Sequence, residues 1–170
     1  ENFISKENID FNHIEKNNQN IVHYLIHRNQ PQLALKIIKE NKINNLFSVS
    51  DDGKQLINLV IEKGFNEILE EIESKVIFSD NFNEQMIFDS IKYKNNTAFK
   101  SLYSYFDMDN IDSLFNYALQ SHNVEALNYI LNSGDIIPGK NQMIQLIDLV
   151  SKVYPEENEK NASYEIMDFL

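Results

Sequence analysis

Short apolar phrases alternate with polar breaks along this chain, and within each phrase the apolar residues recur at helical spacing. The phrase is clearest in Asn20-Ile21-Val22-His23-Tyr24-Leu25-Ile26-His27-Arg28-Asn29, followed by Leu33-Ala34-Leu35-Lys36-Ile37-Ile38-Lys39. It returns as Gln55-Leu56-Ile57-Asn58-Leu59-Val60-Ile61-Glu62-Lys63-Gly64, then Ile68-Leu69-Glu70-Glu71-Ile72. A third version opens at Gln85-Met86-Ile87-Phe88 and continues through Ala98, Phe99, Leu102 and Tyr103. A fourth joins Ser113-Leu114-Phe115-Asn116-Tyr117-Ala118-Leu119 to Ala126-Leu127-Asn128-Tyr129-Ile130-Leu131, and a looser fifth joins 141–154 to 161–170.

Each version predicts two short helices and a tight turn. In the second helices the apolar residues fall at i, i+1, i+4 and i+5 (Leu33, Ala34, Ile37, Ile38; Ala126, Leu127, Ile130, Leu131), which makes one stripe. So short a pair cannot bury its own stripe, and stacking pairs in series solves the problem. The turns centre on Asn29, Gly64, Lys94 and His122, spaced by 35, 30 and 28 residues. Gly and Asn are residue types that accept a left-handed backbone at such a position. The expectation is an all-α stack of four to five helical hairpins in one domain over 1–170. Its repeats are clearest over 10–134, with a looser terminal hairpin over 135–170.

Composition narrows the functional classes. With 4 Gly and 3 Pro among 170 residues, hairpin-rich β folds are poorly supplied with turn residues. A net charge of -11 opposes binding to a phosphate backbone or an anionic membrane surface, so no nucleic-acid partner is expected. The absence of Cys removes disulfides, thiolate metal sites and a cysteine nucleophile, and is compatible with a reducing cytosol. No apolar run reaches the roughly 18 residues of a membrane helix, so no membrane insertion is expected. The apolar ending Phe169-Leu170 lacks the polar face of a terminal repeat, so the chain reads as a fragment of a longer protein.

The quoted phrases resemble the ankyrin repeat. Val22-His23 is similar to the Leu-His pair of that motif, and Asp52-Gly53 to its loop-tip glycine. Ala118 through Gly134 follows the second half of the motif closely. The copies depart from it in lacking Thr-Pro at the start of the first helix and in placing Leu25, Val60 and Ile91 where alanines are usual. The resemblance implies a degenerate ankyrin-like solenoid, with a competing assignment as a generic helical-hairpin array. Arrays of this kind with Asn- and Ile-rich composition are similar to those in proteins that intracellular bacteria or viruses deliver into host cells, and to fungal and protist scaffolds. That implies a cytoplasmic location, in the host cytosol for a delivered effector.

Candidate chemistry is thin. His23 and His27 stand at i and i+4, the spacing of two ligands on one helical face, but no Glu accompanies them in the His-Glu-x-x-His manner. The repeat register predicts that His23 bonds within the hairpin and that His27 is exposed. Glu67, Glu70, Glu71 and Glu73 crowd one helix, where the register turns Ile68, Leu69 and Ile72 inward and the acids outward. Among the aromatic run Phe99, Tyr103, Tyr105, Phe106 and the following Met108, most are expected in the core, the last three being candidates for an exposed anchor. No phosphate loop, nucleophile elbow or calcium loop is present, and no catalytic residue, metal or cofactor is assigned.

The resemblance implies a partner protein bound along the concave face of loop tips and first helices. Carried over copy by copy, this selects Gln19, His27 and Arg28, then Asp51, Asp52, Lys54, Glu62 and Lys63. The later copies add Phe82, Glu84, Lys92, Tyr93, Asn110, Asp112, Gln120 and Ser121, with Tyr93 and Phe82 as anchors. The acidity of the chain favours a partner with a basic surface. The alternative is a helical arm that packs against a catalytic domain elsewhere in a longer protein.

Overall fold

The computed structural model describes residues 11, 18–40, 42–43, 55–75 and 83–153, and the structural statements below concern these. The described residues form α-helices, turns and loops. They fall into two compact units, 1–81 and 82–170. The Asp52-Gly53 pair, the second half of the fifth hairpin and four of the expected contact residues (Asp51, Asp52, Lys54, Phe82) lie outside the described residues.

The first unit holds α1 (Ile21–His27), α2 (Pro31–Lys39), α3 (Leu56–Lys63) and α4 (Asn66–Lys75). Helices of seven to ten residues are marginal alone, so packing must hold them. α1 pairs with α2 and α3 with α4. The two hairpins then lie side by side, α1 on α3 and α2 on α4. Asn20 opens α1, its Oδ1 accepting the N–H groups of Val22 at 3.0 Å and His23 at 3.1 Å. The buried His23 returns the favour, Nδ1 accepting from the Asn20 N–H at 3.3 Å, which makes a capping box with a histidine in the reaching position.

The second unit holds α5 (Glu84–Lys92), α6 (Asn96–Tyr103), a 3-10 turn over Met108–Asn110, α7 (Ile111–Gln120), α8 (Val124–Ser133) and α9 (Lys140–Val153). The arrangement repeats: α5 pairs with α6 and α7 with α8, α5 lies on α7 and α6 on α8, and α9 packs against α7.

All four hairpins turn by one device. Asn29, Gly64, Lys94 and His122 have φ of 56°, 70°, 55° and 51°. At each, the N–H of the left-handed residue bonds three residues back, as in Asn29 to Ile26 at 3.0 Å and Lys94 to Ile91 at 3.1 Å. The next N–H bonds five residues back: Gln30 to Leu25, Phe65 to Val60, Asn95 to Ser90 and Asn123 to Ala118, at 2.8 to 3.1 Å. This is the Schellman pattern, which satisfies the carbonyls that the end of a helix leaves open.

The expected stripes are buried. Ala34, Ile37 and Ile38, then Ile68, Leu69 and Ile72, then Ala98, Phe99, Leu102 and Tyr103, then Ala126, Leu127, Ile130 and Leu131 all lie in the core, with Leu33 half-buried. Of the second helix's acids, Glu67 and Glu70 are exposed, while Glu71 and Glu73 are half-covered and Glu71 pairs with Lys75 at 3.1 Å.

Polar links join the second hairpin pair. The buried Asn123 caps α8 by accepting from Ala126 N–H at 3.1 Å. Its Nδ2 donates to the Ile91 carbonyl at 3.1 Å and to Asn96 Oδ1 at 3.0 Å, tying one turn to the preceding one. Tyr103, stacked edge-on against Phe99 and Tyr129, donates its hydroxyl to Asp135 Oδ2 at 2.9 Å and lies 2.9 Å from Ser133 Oγ. Burial, together with the charge of Asp135, pushes the Tyr103 phenol up to about 12. The hydroxyls of Ser133 and Tyr103 hold Asp135 below the usual carboxylate value.

Candidate binding surface

The turn device fixes the position of the expected contact residues. His27-Arg28, Glu62-Lys63, Lys92-Tyr93 and Gln120-Ser121 are each the two residues before the left-handed one, so they occupy the same place at the end of each first helix. All are exposed except Glu62 and Ser121, which are half-buried. Because α1 packs on α3 and α5 on α7, the pairs sit on neighbouring helices within each unit. His27 approaches Gln19 with 3.5 Å between Nε2 atoms, and the Arg28 guanidinium lies 5.2 Å from the Tyr24 ring centre. Lys92 lies 5.1 Å from the centre of the Tyr93 ring, and Lys63 is 3.8 Å from Glu62. The cations also suit the negative end of the helix dipole.

The other expected residues stand at the opposite end of the first helices. Glu84 opens α5, Asn110 precedes α7 and Asp112 lies in its first turn, all exposed. At 1.5 Å per residue, a helix of this size separates its two ends by about 12 Å. The expected residues therefore mark the two ends of the first helices and skip their middle.

That middle carries aromatic side chains. In α1 it is Tyr24, 51% exposed. In the second unit it is the half-buried Phe88 and Tyr117, whose rings meet edge to face at 5.0 Å, flanked by Asp89 and Asn116. Phe88 also meets the buried Phe106 at 6.1 Å. Gln142 of α9 extends the face, its Nε2 donating to Asp112 Oδ1 at 3.2 Å and Asn116 Oδ1 at 3.0 Å. Tyr24, Asp89 and Tyr117 lie five residues before their left-handed turn residue, whereas Phe88 lies six before its own and the equivalent position of α3 is the buried Leu59, so a single register locates only part of the set. Of the three anchor candidates in the aromatic run and just after it, Tyr105 is exposed at 39% and Phe106 is core at 5%. The Met108 side chain is outside the described residues.

Proton-transfer and ligand chemistry finds little to work with on this face. His23 is enclosed in its cap, and His27 stands outside the hairpin. Among the described residues, no three His, Asp or Glu side chains gather in a way that would hold a metal ion. A groove of 330 Å³ in the first unit runs between the start of α2 and the α3–α4 turn, lined by Pro31, Leu35, Phe65, Asn66 and Glu67 among others. Glu67 is the ionisable group in that lining, and acid-base work normally calls for convergent titratable partners. No described helix is long and apolar enough to cross a membrane. A scan against models of protein families finds no match to this chain, and neither curated proteins nor solved structures match it.

Proposed function

We propose that this chain is a protein-binding module of the ankyrin-like helical-repeat type, which engages a partner protein along the exposed face of its first helices. One observation carries the reading: the same two positions before each of four equivalent turns present exposed or half-exposed polar and aromatic side chains, and three of the four first helices, α1, α5 and α7, also show an exposed or half-exposed aromatic ring (Tyr24, Phe88, Tyr117). Repetition of an outward-facing position on the paired hairpins of each unit provides a surface there, and aromatic residues among polar ones are the usual composition of interface anchors. The partner on this reading is a protein with a basic surface that meets Glu84, Asp89 and Asp112, in a cytoplasmic setting, and neither nucleic acid nor membrane takes part. The turn rim itself is cationic through Arg28, Lys63 and Lys92, so charge matching is local to the carboxylates.

The test is to isolate a partner by affinity capture and measure its binding to variants. Tyr93→Ala, Tyr117→Ala and Phe82→Ala should each weaken the complex about tenfold or more, as truncation of an anchor does. Glu70→Ala, on the exposed face of α4, should leave it within about twofold, as for a residue outside the contact. Loss of binding on Glu70→Ala with all three aromatic variants intact moves recognition to the second helices and overturns the assignment.

A further inference from the structure

His23 is an ionisable side chain enclosed in the first unit, and the binding surface makes no use of it. It is 0% exposed and is the third residue of α1, where its Nδ1 accepts the Asn20 N–H at 3.3 Å. A ring that accepts at Nδ1 carries its proton on Nε2 and is neutral. The same place in α3, six residues before the left-handed turn residue, holds Asn58, whose Oδ1 accepts the Gln55 N–H at 3.2 Å. Both side chains close a capping box, but only the imidazole can take up a proton near neutral pH.

Protonation undoes that cap. A proton on Nδ1 sets an N–H against the buried Asn20 N–H, and the nearby oxygen, Asn20 Oδ1 at 2.9 Å, already accepts from the N–H groups of Val22 and His23. It also places a full charge in a site closed to water, at the N–H end of α1, where a cation is disfavoured. The charged side chains on the helices packed against α1 are Lys36 and Lys39 on α2 and Glu62 and Lys63 on α3, all exposed or half-exposed, and His27 and Arg28 stand exposed at the far end of α1 itself. We propose that His23 is an acid-sensitive latch: its neutral ring caps α1 near neutral pH, and proton uptake at lower pH opens α1. By linkage, the open state binds a proton that the closed state refuses, so each pH unit below about 6.5, the ordinary imidazole value, favours opening about tenfold. On the binding reading above, opening withdraws Tyr24, His27 and Arg28 from the surface and releases a partner held there, while the latch itself does not depend on that reading.

Amide hydrogen exchange on the whole chain, at about pH 7.5 and about pH 5.0, tests this directly. The protection factors of α1, which already allow for the intrinsic effect of pH, should fall about thirtyfold at the lower pH, following the tenfold change for each unit below the unfolded value. His23→Asn, which copies the arrangement of Asn58 in α3, should remove that fall, whereas His27→Gln, at the exposed end of α1, should keep it. Imidazole nitrogen resonances of the unsubstituted chain decide the matter even where the Asn variant folds poorly: in the closed state His23 should stay neutral, with its proton on Nε2, at both pH values. Protection in α1 that is unchanged at the lower pH overturns the proposal. So does a fall that survives in His23→Asn, or a closed-state His23 that carries protons on both nitrogens at the lower pH.

Discussion

Replacing Asn123 isolates what holds one hairpin to the next. Asn123 is 2% exposed and its side chain makes three hydrogen bonds, one inside its own hairpin and two to the preceding turn. Asn123→Ala removes a helix cap, worth about 1 kcal/mol, and two buried hydrogen bonds, worth about 1 kcal/mol each, so the expected loss is about 3 kcal/mol. Asn123→Asp separates the two jobs. It keeps an acceptor for the Ala126 N–H, in a place the helix dipole favours, but sets a carboxylate oxygen against the Ile91 carbonyl and Asn96 Oδ1 where an N–H₂ had been. It should cost about 2 kcal/mol, the two bonds that cross between hairpins. Urea unfolding followed by far-ultraviolet circular dichroism and by tyrosine emission, in a chain with 8 Tyr and no Trp, reads both numbers. An Asp variant as stable as the parent would show that the cross-hairpin bonds contribute nothing. An Ala variant within about 0.5 kcal/mol of the parent, the usual bound for an inert surface change, would refute the whole account of this residue.

The Tyr103–Asp135–Ser133 cluster makes stability depend on pH at both extremes. The Tyr103 phenol is raised from 10.0 to about 12, so its contribution is fully present below pH 10 and is lost as pH climbs toward 12. Asp135 is lowered from 3.8, so its contribution is present above that value and is lost as pH falls through the depressed one. Tyr103→Phe should therefore flatten the alkaline limb of a plot of urea midpoint against pH, weaken the acid limb only in part because the Ser133 hydroxyl still holds Asp135, and remove the highest-titrating component from the tyrosinate absorbance curve; an unchanged alkaline limb would contradict the assignment. At the turns, Lys94→Gly and His122→Gly should raise stability by up to about 1 kcal/mol, because a left-handed residue with a Cβ is strained by about 1–2 kcal/mol and Gly costs back about 0.5–1 kcal/mol in chain entropy. Gly64→Ala should lose about 1 kcal/mol through φ of 70° alone, since nothing lies within 4 Å of the added Cβ, and a neutral result in thermal melts would show that the turn relaxes.

The turns and the buried stripes were legible in the sequence because each is fixed by local spacing. Lys94 and His122 are unusual residues for a left-handed backbone, yet the helices on either side left no other place for the reversal. What local spacing leaves open is the phase of a helix that is apolar on more than one side. α7 carries Ile111, Leu114, Phe115, Tyr117, Ala118 and Leu119, and only contact with α5 and α8 decides that Tyr117 is the one left half in solvent. For that reason the expected contact residues fall at the two ends of the first helices and leave out the half-exposed rings between them. The second role of Asn123 was hidden for a different one: its acceptor, the Ile91 carbonyl, lies 32 residues back, and a cap residue is fully explained by its own helix until that neighbour is in view.

The openings of the hairpins show why so loose a repeat still folds alike. No copy begins its first helix with Thr-Pro, and the substitutes differ. His23 accepts the Asn20 N–H at 3.3 Å in the first hairpin, and Asn58 Oδ1 accepts the Gln55 N–H at 3.2 Å in the second. α7 follows directly on a 3-10 turn, with Ser113 Oγ donating to the Asn110 carbonyl at 2.7 Å. A cap is worth about 1 kcal/mol and several residue types can supply it. The six-residue turn and the buried stripe have no such substitutes: one needs a left-handed residue at a fixed place, and the other needs apolar groups of about 1.5–3 kcal/mol each at i, i+1 and i+4. Specification of the hairpin is therefore concentrated in its turn and in the buried stripes of both helices. The exposed positions of the first helix remain free to vary from copy to copy without loss of fold, and a surface used for recognition needs that freedom.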